Sequence, residues 1–219
     1  FANPGAEWVI SGFMLLASVN FALYYEAVVG DIRSLLKDSE LKLFLTIVGT
    51  AVLLITVNAG HLFASVFEAL RSAVFQVISI ISTTGFVTDN YERWPELSKG
   101  IIFLLAFIGA CAGSTGGGIK NIRVLILLKY IKRTLYRLIH PQAVIPLRVA
   151  GKPISEDTVQ NVLGFVVVYA LVFIGLSLVL LTQGMDLLSS TSAVAVSLGN
   201  VGPGFGMVGR QFRGGPGFS

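Results

Sequence analysis

Charged side chains are scarce in this sequence, 13% of 219 residues, where an ordinary soluble domain carries about 25%. Cysteine occurs once, as Cys111, so no internal disulfide is possible and the redox compartment cannot be read. Histidine occurs twice, and His61 and His140 lie far apart with no Cys or carboxylate at metal-ligand spacing. Both read as interfacial or loop residues. No acid–base pair or activated nucleophile stands out, which makes an enzyme the poorest fit. The chain opens at Phe1, without a methionine or a basic-then-apolar leader, so the start of a longer protein is expected to be missing. What is plentiful is apolar surface, at 54% of residues, together with 24 glycines. At about 20 residues per crossing, the length allows four or five membrane spans. Disordered chains, disulfide scaffolds and most soluble enzymes are excluded together.

The net charge of +4 matters less than its placement. Trp8 to Val29 is the first apolar stretch, and a charged connector from Asp31 to Lys42 follows it. Leu43 to Val57 is the next, ended by the turn residues Asn58-Ala59-Gly60. From His61 to Ser82, apolar residues recur at helical spacing but share the segment with Glu68 and Arg71, which are spaced to pair on one helix face. The apolar part, Ala73 to Ile81, is too short to span. Gly100 to Ala112 runs apolar, breaks at Gly113-Ser114-Thr115-Gly116-Gly117-Gly118, and resumes from Ile119 to Ile131. Val159 to Leu181 spans comfortably, and Leu187 to Leu198 is again too short.

Lys120, Arg123, Lys129, Lys132, Arg133, Arg137, Arg148 and Lys152 lie between two spans, which makes that connector cytoplasmic. Counting outward from it, both short apolar segments start from the external side. Lys120 and Arg123 then mark the inner interface, where long cationic side chains snorkel. Phe1, Trp8, Tyr91 and Trp94 suit interface anchoring.

Each short segment follows a full span and ends in small polar residues and glycine, and irregular backbone at membrane depth persists only where it is buried in protein or lines water. The unit span, half-helix, irregular strand, span is a re-entrant pore loop. It occurs once completely and begins a second time. Within Ser82-Thr83-Thr84-Gly85-Phe86, a half-helix entering from outside aims its carbonyl end, the negative end of its dipole, at the membrane centre. The strand after it can turn carbonyls toward a cation in place of hydration oxygens. No carboxylate ring is present, which suits a weakly hydrated monovalent ion. Asn200-Val201-Gly202-Pro203 holds the matching place, with glycine again two residues on. Taken singly, either stretch is also compatible with a capped helix ending in a glycine turn. The break at Gly113 to Gly118 is compatible with a helix-packing kink. It is not a phosphate loop, because Lys120 comes one residue late and no Ser or Thr follows it. Cys111 reads as a packed small residue.

These residues, with Gly109-Ala110-Cys111-Ala112 before the break, resemble the Trk/Ktr family of bacterial potassium-uptake proteins, and most closely its pore-forming subunit. The resemblance covers nearly the whole chain. It implies an all-α membrane protein of repeated helix–pore-loop–helix units. Residues 1–30 are then the last helix of a second repeat, and 31–133 a third repeat with an intramembrane loop at 109–118. Residues 134–158 become a basic cytoplasmic connector, 159–206 a fourth repeat up to its filter, and 207–219 a glycine-rich tail. It implies backbone filters at Thr83, Thr84, Gly85 and Phe86 and at Asn200, Val201, Gly202 and Pro203. K⁺, the transported ion, is expected at Thr83, Thr84, Gly85, Asn200, Val201 and Gly202, with no organic cofactor. The loop Gly113, Ser114, Thr115, Gly116, Gly117 and Gly118 becomes a gate.

The implied setting is the bacterial inner membrane, as a homodimer surrounded by lipid. A cytosolic ring of TrkA-like nucleotide-binding regulatory subunits is the further partner, and no nucleic acid is expected. The first two repeats and the family's last helix are missing, so the chain resembles a piece of a longer protein. Sodium- or proton-coupled symport through the same pore and a non-conducting structural subunit are the competing readings.

Overall fold

The computed structural model describes residues 3–30, 35, 37–142 and 145–211. Phe1, the connector residues 31–34 and the tail residues 212–219 lie outside the described residues. The described chain is helical: α1 Pro4–Ala17, α2 Phe21–Val29, α3 Ser39–Ala59, α4 Val66–Ile81, α5 Glu96–Ile108, α6 Asn121–Ile139, α7 Glu156–Thr182, α8 Leu187–Leu198 and the short α9 Met207–Gln211. Side-chain caps set most of the starts. Asn3, Asn20, Asp38, Ser65, Ser155 and Asp186 each accept a backbone N–H in the first turn of the helix that follows. The start of α6 is different, for Lys120 offers it no side-chain cap.

The boundaries correct several expectations. Trp8 to Val29 is not one continuous helix: α1 and α2 meet at an angle of 87° across 18–20. Neither Pro nor Gly causes the bend. Ser18 closes α1 by donating its hydroxyl to Met14 O (2.7 Å), and Asn20 opens α2. Backbone groups that continuous helix would have paired meet the glycine loop instead. Cys111 N donates to Ser18 O at 3.0 Å and Phe21 N to Gly113 O at 3.2 Å. The first short helix, α4, begins at Val66, seven residues before the expected apolar start at Ala73. The apolar run Gly100 to Ala112 is helical only as far as Ile108, and Gly109 at φ +72 opens the loop where the resemblance had set its start. Past it, α6 runs on to Ile139, and the connector then folds an antiparallel pair, β1 Arg148–Val149 with β2 Lys152–Pro153.

Packing is centred on α4, which lies against α1, α3 and α5. Phe75, Val77, Ile80 and Ile81 of α4 are buried with Phe44 and Ile55 of α3, Ile102 and Leu105 of α5, and Cys111. By contrast α7, at 27 residues, buries only Val159, Val162 and Ser177. A helix apolar on every side yet mostly unburied belongs to a bilayer or to further protein. Among the described residues α3 and α7 are long and apolar enough to cross a membrane, and α8 packs on α7 and α5.

Candidate functional site

The loops after α4 and α8 repeat one backbone design. Each helix ends on a right-handed cap, Ser82 at φ −74 and Gly199 at φ −75. The next residue is left-handed, Thr83 at φ +58 and Asn200 at φ +55, and two residues on come Gly85 at +74 and Gly202 at +103. The hydrogen bonds correspond as well. Ser82 N reaches Ile78 O and Gly199 N reaches Ala195 O, both at 2.9 Å, while Thr84 N reaches Ser79 O and Val201 N reaches Val196 O. A left-handed β-branched residue is uncommon, and Thr83 adopts that conformation where its hydroxyl has a partner described below.

Serines and an amide of the short helices hold the strands that follow. Ser79 donates to Phe86 O (2.7 Å), so that carbonyl is engaged by the helix rather than shared freely along the loop. Fully buried Gln76, with its amide oxygen turned to the backbone, accepts from Thr88 N (2.9 Å) and Asp89 N (3.1 Å). Asp89 in turn accepts from Trp94 Nε1 at 2.9 Å and Ser72 Oγ at 3.2 Å. In the second loop Ser192 accepts from Phe205 N and Ser189 from Met207 N. The hydroxyl and N–H of Ser189 also hold the Asp186 carboxyl below its ordinary pKa. Tyr91 OH donates across to Gly204 O at 3.1 Å, joining the two loops at their far ends.

The loops touch directly as well. A Cβ on Gly85 would collide with the Val201 carbonyl and lie 2.9 Å from Pro203 Cδ, at a φ that disfavours any side chain. No hydrogen bond among the described residues ends on the carbonyls of Thr83, Thr84, Gly85, Asn200, Val201 or Gly202. Thr84, Asn200 and Gly202 lie on an open face of the chain. What this arrangement offers a ligand is oxygen, from carbonyls and threonine hydroxyls. No group of three or more His, Cys, Asp or Glu able to hold a metal occurs among the described residues.

The glycine loop closes one end of both strands. Gly117 N donates to Thr83 Oγ1 at 2.8 Å, and added side-chain carbons show how close the backbones come. On Gly116 a Cβ would lie 2.9 Å from Ser82 O, and on Gly117 2.5 Å from Gly199 O. Of the predicted gate residues, Gly116 and Gly117 therefore face the filters, while Gly113 and Thr115 face the α1–α2 break. Buried Cys111 is a packed small residue, as expected.

Two expectations about charged residues are overturned. Lys120 does not snorkel: its ammonium folds back to donate to Ser114 O (3.4 Å) and Gly116 O, part-buried carbonyls of the glycine loop. Arg71 pairs with Glu7 of α1 at 3.0 Å and not with Glu68, whose carboxylate turns back to accept from Ala64 N (3.2 Å) at the start of α4. Sequence reasoning also missed Glu40, Gln76, Ser79, Ser189 and Ser192. For Gln76, Ser79, Ser189 and Ser192, polarity inside short apolar helices is the signal that could have marked them, while Glu40 stands in a charged stretch that gave none.

Comparison with known proteins agrees with this geometry. The family model described as TrkH, cation transport protein, matches residues 1–214. The chain belongs to the TrkH family of cation transport proteins. It is 36% identical over 215 residues to the Trk system potassium uptake protein TrkH of Escherichia coli K12, covering 97% of this chain and 44% of that protein. TrkH of Vibrio parahaemolyticus is 39% identical, covering 91% and 42%. The crystal structure of the potassium transporter TrkH from Vibrio parahaemolyticus superposes with a TM-score of 0.88 at 38% identity, over 95% of this chain and 46% of that one. The chain thus spans a little under half the length of these TrkH-family relatives. Its fold is that of a TrkH-type helical membrane protein with pore-loop units.

Proposed function

We propose that the two loops form part of a carbonyl-lined selectivity filter through which K⁺ crosses the bacterial inner membrane down its electrochemical gradient. Residues 113–118, in the loop beneath it, act as the gate. The observation that carries this reading is the matched backbone, left-handed at Thr83 and Asn200 and again at Gly85 and Gly202, with carbonyls that no described residue occupies. Alternating the sign of φ turns successive peptide planes the same way, which suits a column of oxygens facing an ion. The names of the relatives, potassium uptake proteins and a potassium transporter, support the choice of ion. The remaining filter walls come from the rest of the protein.

On this reading the chain is a conduit and not an enzyme, and K⁺ is its cargo. A homodimer and a cytosolic nucleotide-binding regulatory subunit complete the assembly. The basic stretch Lys129, Lys132, Arg137 and Arg148 supports a cytosolic docking face. The test is Rb⁺ uptake into proteoliposomes holding the full-length protein, with K⁺ and Na⁺ as competitors. Uptake competed by K⁺ and raised by deleting residues 116–118 supports filter and gate together. If wild type and deletion both fail to take up Rb⁺, the reading falls.

A further inference from the structure

Glu40 is a carboxylate 5% exposed, near the start of α3 and far in sequence from either filter. Its Oε1 accepts from Ala112 N, inside the glycine loop, at 2.7 Å. The first turn of α6 has no side-chain cap of its own, and Asn121 within it reaches back to Glu40 of α3. The link to α6 runs through the backbone. Asn121, fully buried, donates through Nδ2 to Glu40 O (2.9 Å), and its own N–H donates to Ala110 O (3.0 Å). One residue of α3 therefore ties the glycine loop to α6, its carboxylate holding Ala112 and its backbone carbonyl holding Asn121.

We propose that Glu40 is the positioning residue that latches the loop in its closed place and passes displacement of α6 to it. This rests on the gate reading above and adds the means of its regulation. The loop leans on the filters through Gly116 and Gly117, and on its other side it is held by the α1–α2 break, the Lys120 ammonium, the Asn121 N–H on Ala110 O, and Glu40. Lys120 and Asn121 belong to the start of α6 itself, whereas Glu40 brings a third helix, α3, to the loop and to α6, the helix whose far half carries Lys129, Lys132 and Arg137. A cytosolic force on that half moves the Asn121 turn, and Glu40, holding Asn121 through its backbone carbonyl and Ala112 through its carboxylate, carries that displacement to the loop. The loop follows because its own glycines resist little.

The test uses Rb⁺ flux into proteoliposomes holding the full-length protein, comparing wild type, Glu40→Ala, Glu40→Gln, the 116–118 deletion, and the deletion combined with Glu40→Ala. Glu40→Ala is expected to raise K⁺-competed flux about tenfold, within the range of ordinary allosteric couplings. Glu40→Gln, which keeps one acceptor for Ala112 N, raises it less. In the deletion background Glu40→Ala adds nothing, because the element it latches is gone. A merely destabilised protein loses flux instead of gaining it, so the direction separates latch from damage. The latch is overturned if the deletion raises flux while neither Glu40 variant does, or if the double variant exceeds the deletion alone. No Rb⁺ flux in wild type and deletion alike overturns the pore reading itself, and the latch with it.

Discussion

Gly117 N donates to Thr83 Oγ1 at 2.8 Å, joining the glycine loop to the first residue of the first filter strand. The bond explains two local oddities at once, a left-handed threonine and a glycine with no room for a side chain. It also makes the closed loop depend on a hydroxyl in the ion path. Thr83→Val keeps the shape and removes the acceptor, leaving Gly117 N unpaired at a cost of about 1–3 kcal/mol. Basal Rb⁺ flux is expected to rise on the order of tenfold, the scale of 1.4 kcal/mol. Thr83→Ser, which keeps an acceptor, raises it less. Equal flux in all three proteins would show that the contact does not hold the loop.

Gly85 sets how closely the two strands approach. Its Cβ would collide with the Val201 carbonyl, so Gly85→Ser must push apart two rows of oxygens whose spacing suits one ion. Discrimination of K⁺ from Na⁺ in Rb⁺ competition is expected to fall about tenfold, on the order of 1.4 kcal/mol. The control is Gly164→Ala in α7, where nothing lies within 4 Å of an added Cβ. There the change favours helix by up to about 1 kcal/mol and leaves ion discrimination alone.

The pore-loop design was legible because it is written twice. Thr83-Thr84-Gly85 and Asn200-Val201-Gly202 stand at the same place after short apolar helices, and their backbones prove alike. The α1–α2 bend was not legible. Ser18-Val19-Asn20 contains no helix breaker, and the partners that stabilise the break, Cys111 N and Gly113 O, lie over ninety residues away. Tertiary hydrogen bonds overrode local propensity there. Glu40 was hidden for the opposite reason: beside Asp38 and Lys42 it read as part of a solvated connector, whereas its carboxylate is buried against the loop. Lys120 fell to the same error, since a basic residue at a span's end reads as interfacial whenever the carbonyls around it are unseen.

Beyond the filters, Arg133 and Glu156 form a two-pronged ion pair between α6 and the first turn of α7, with Arg133 Nη2 donating to Glu156 Oε2 at 3.0 Å. The partners are unequal: the Arg133 side chain is 4% exposed and that of Glu156 63%. Removing the exposed partner strands a buried charge, whereas removing the buried one leaves a carboxylate free to hydrate. Glu156→Gln is therefore expected to lower the melting temperature in detergent more than Arg133→Met does. The reverse order would mean that packing of the arginine stem, and not its pairing, holds α6 to α7.

Asp186 gives the second filter helix a pH dependence of defined sign. Its carboxylate accepts from Ser189 N at 3.1 Å, and the Ser189 hydroxyl, which also holds Met207 N, adds to the stabilisation. These bonds favour the ionised form and depress the pKa below the ordinary 3.8. A carboxyl depressed in the folded state binds fewer protons there than when unfolded. Its contribution is thus full above the unfolded pKa and is lost as pH falls through the folded one. Asp186→Asn retains a cap but does not titrate in this range. The melting-temperature difference between wild type and Asp186→Asn is expected to be constant near neutrality and to shrink as pH falls into the carboxylate range. A difference that stays constant down to the most acidic pH tolerated would show that the ionised carboxyl is not what anchors α8 beneath its filter.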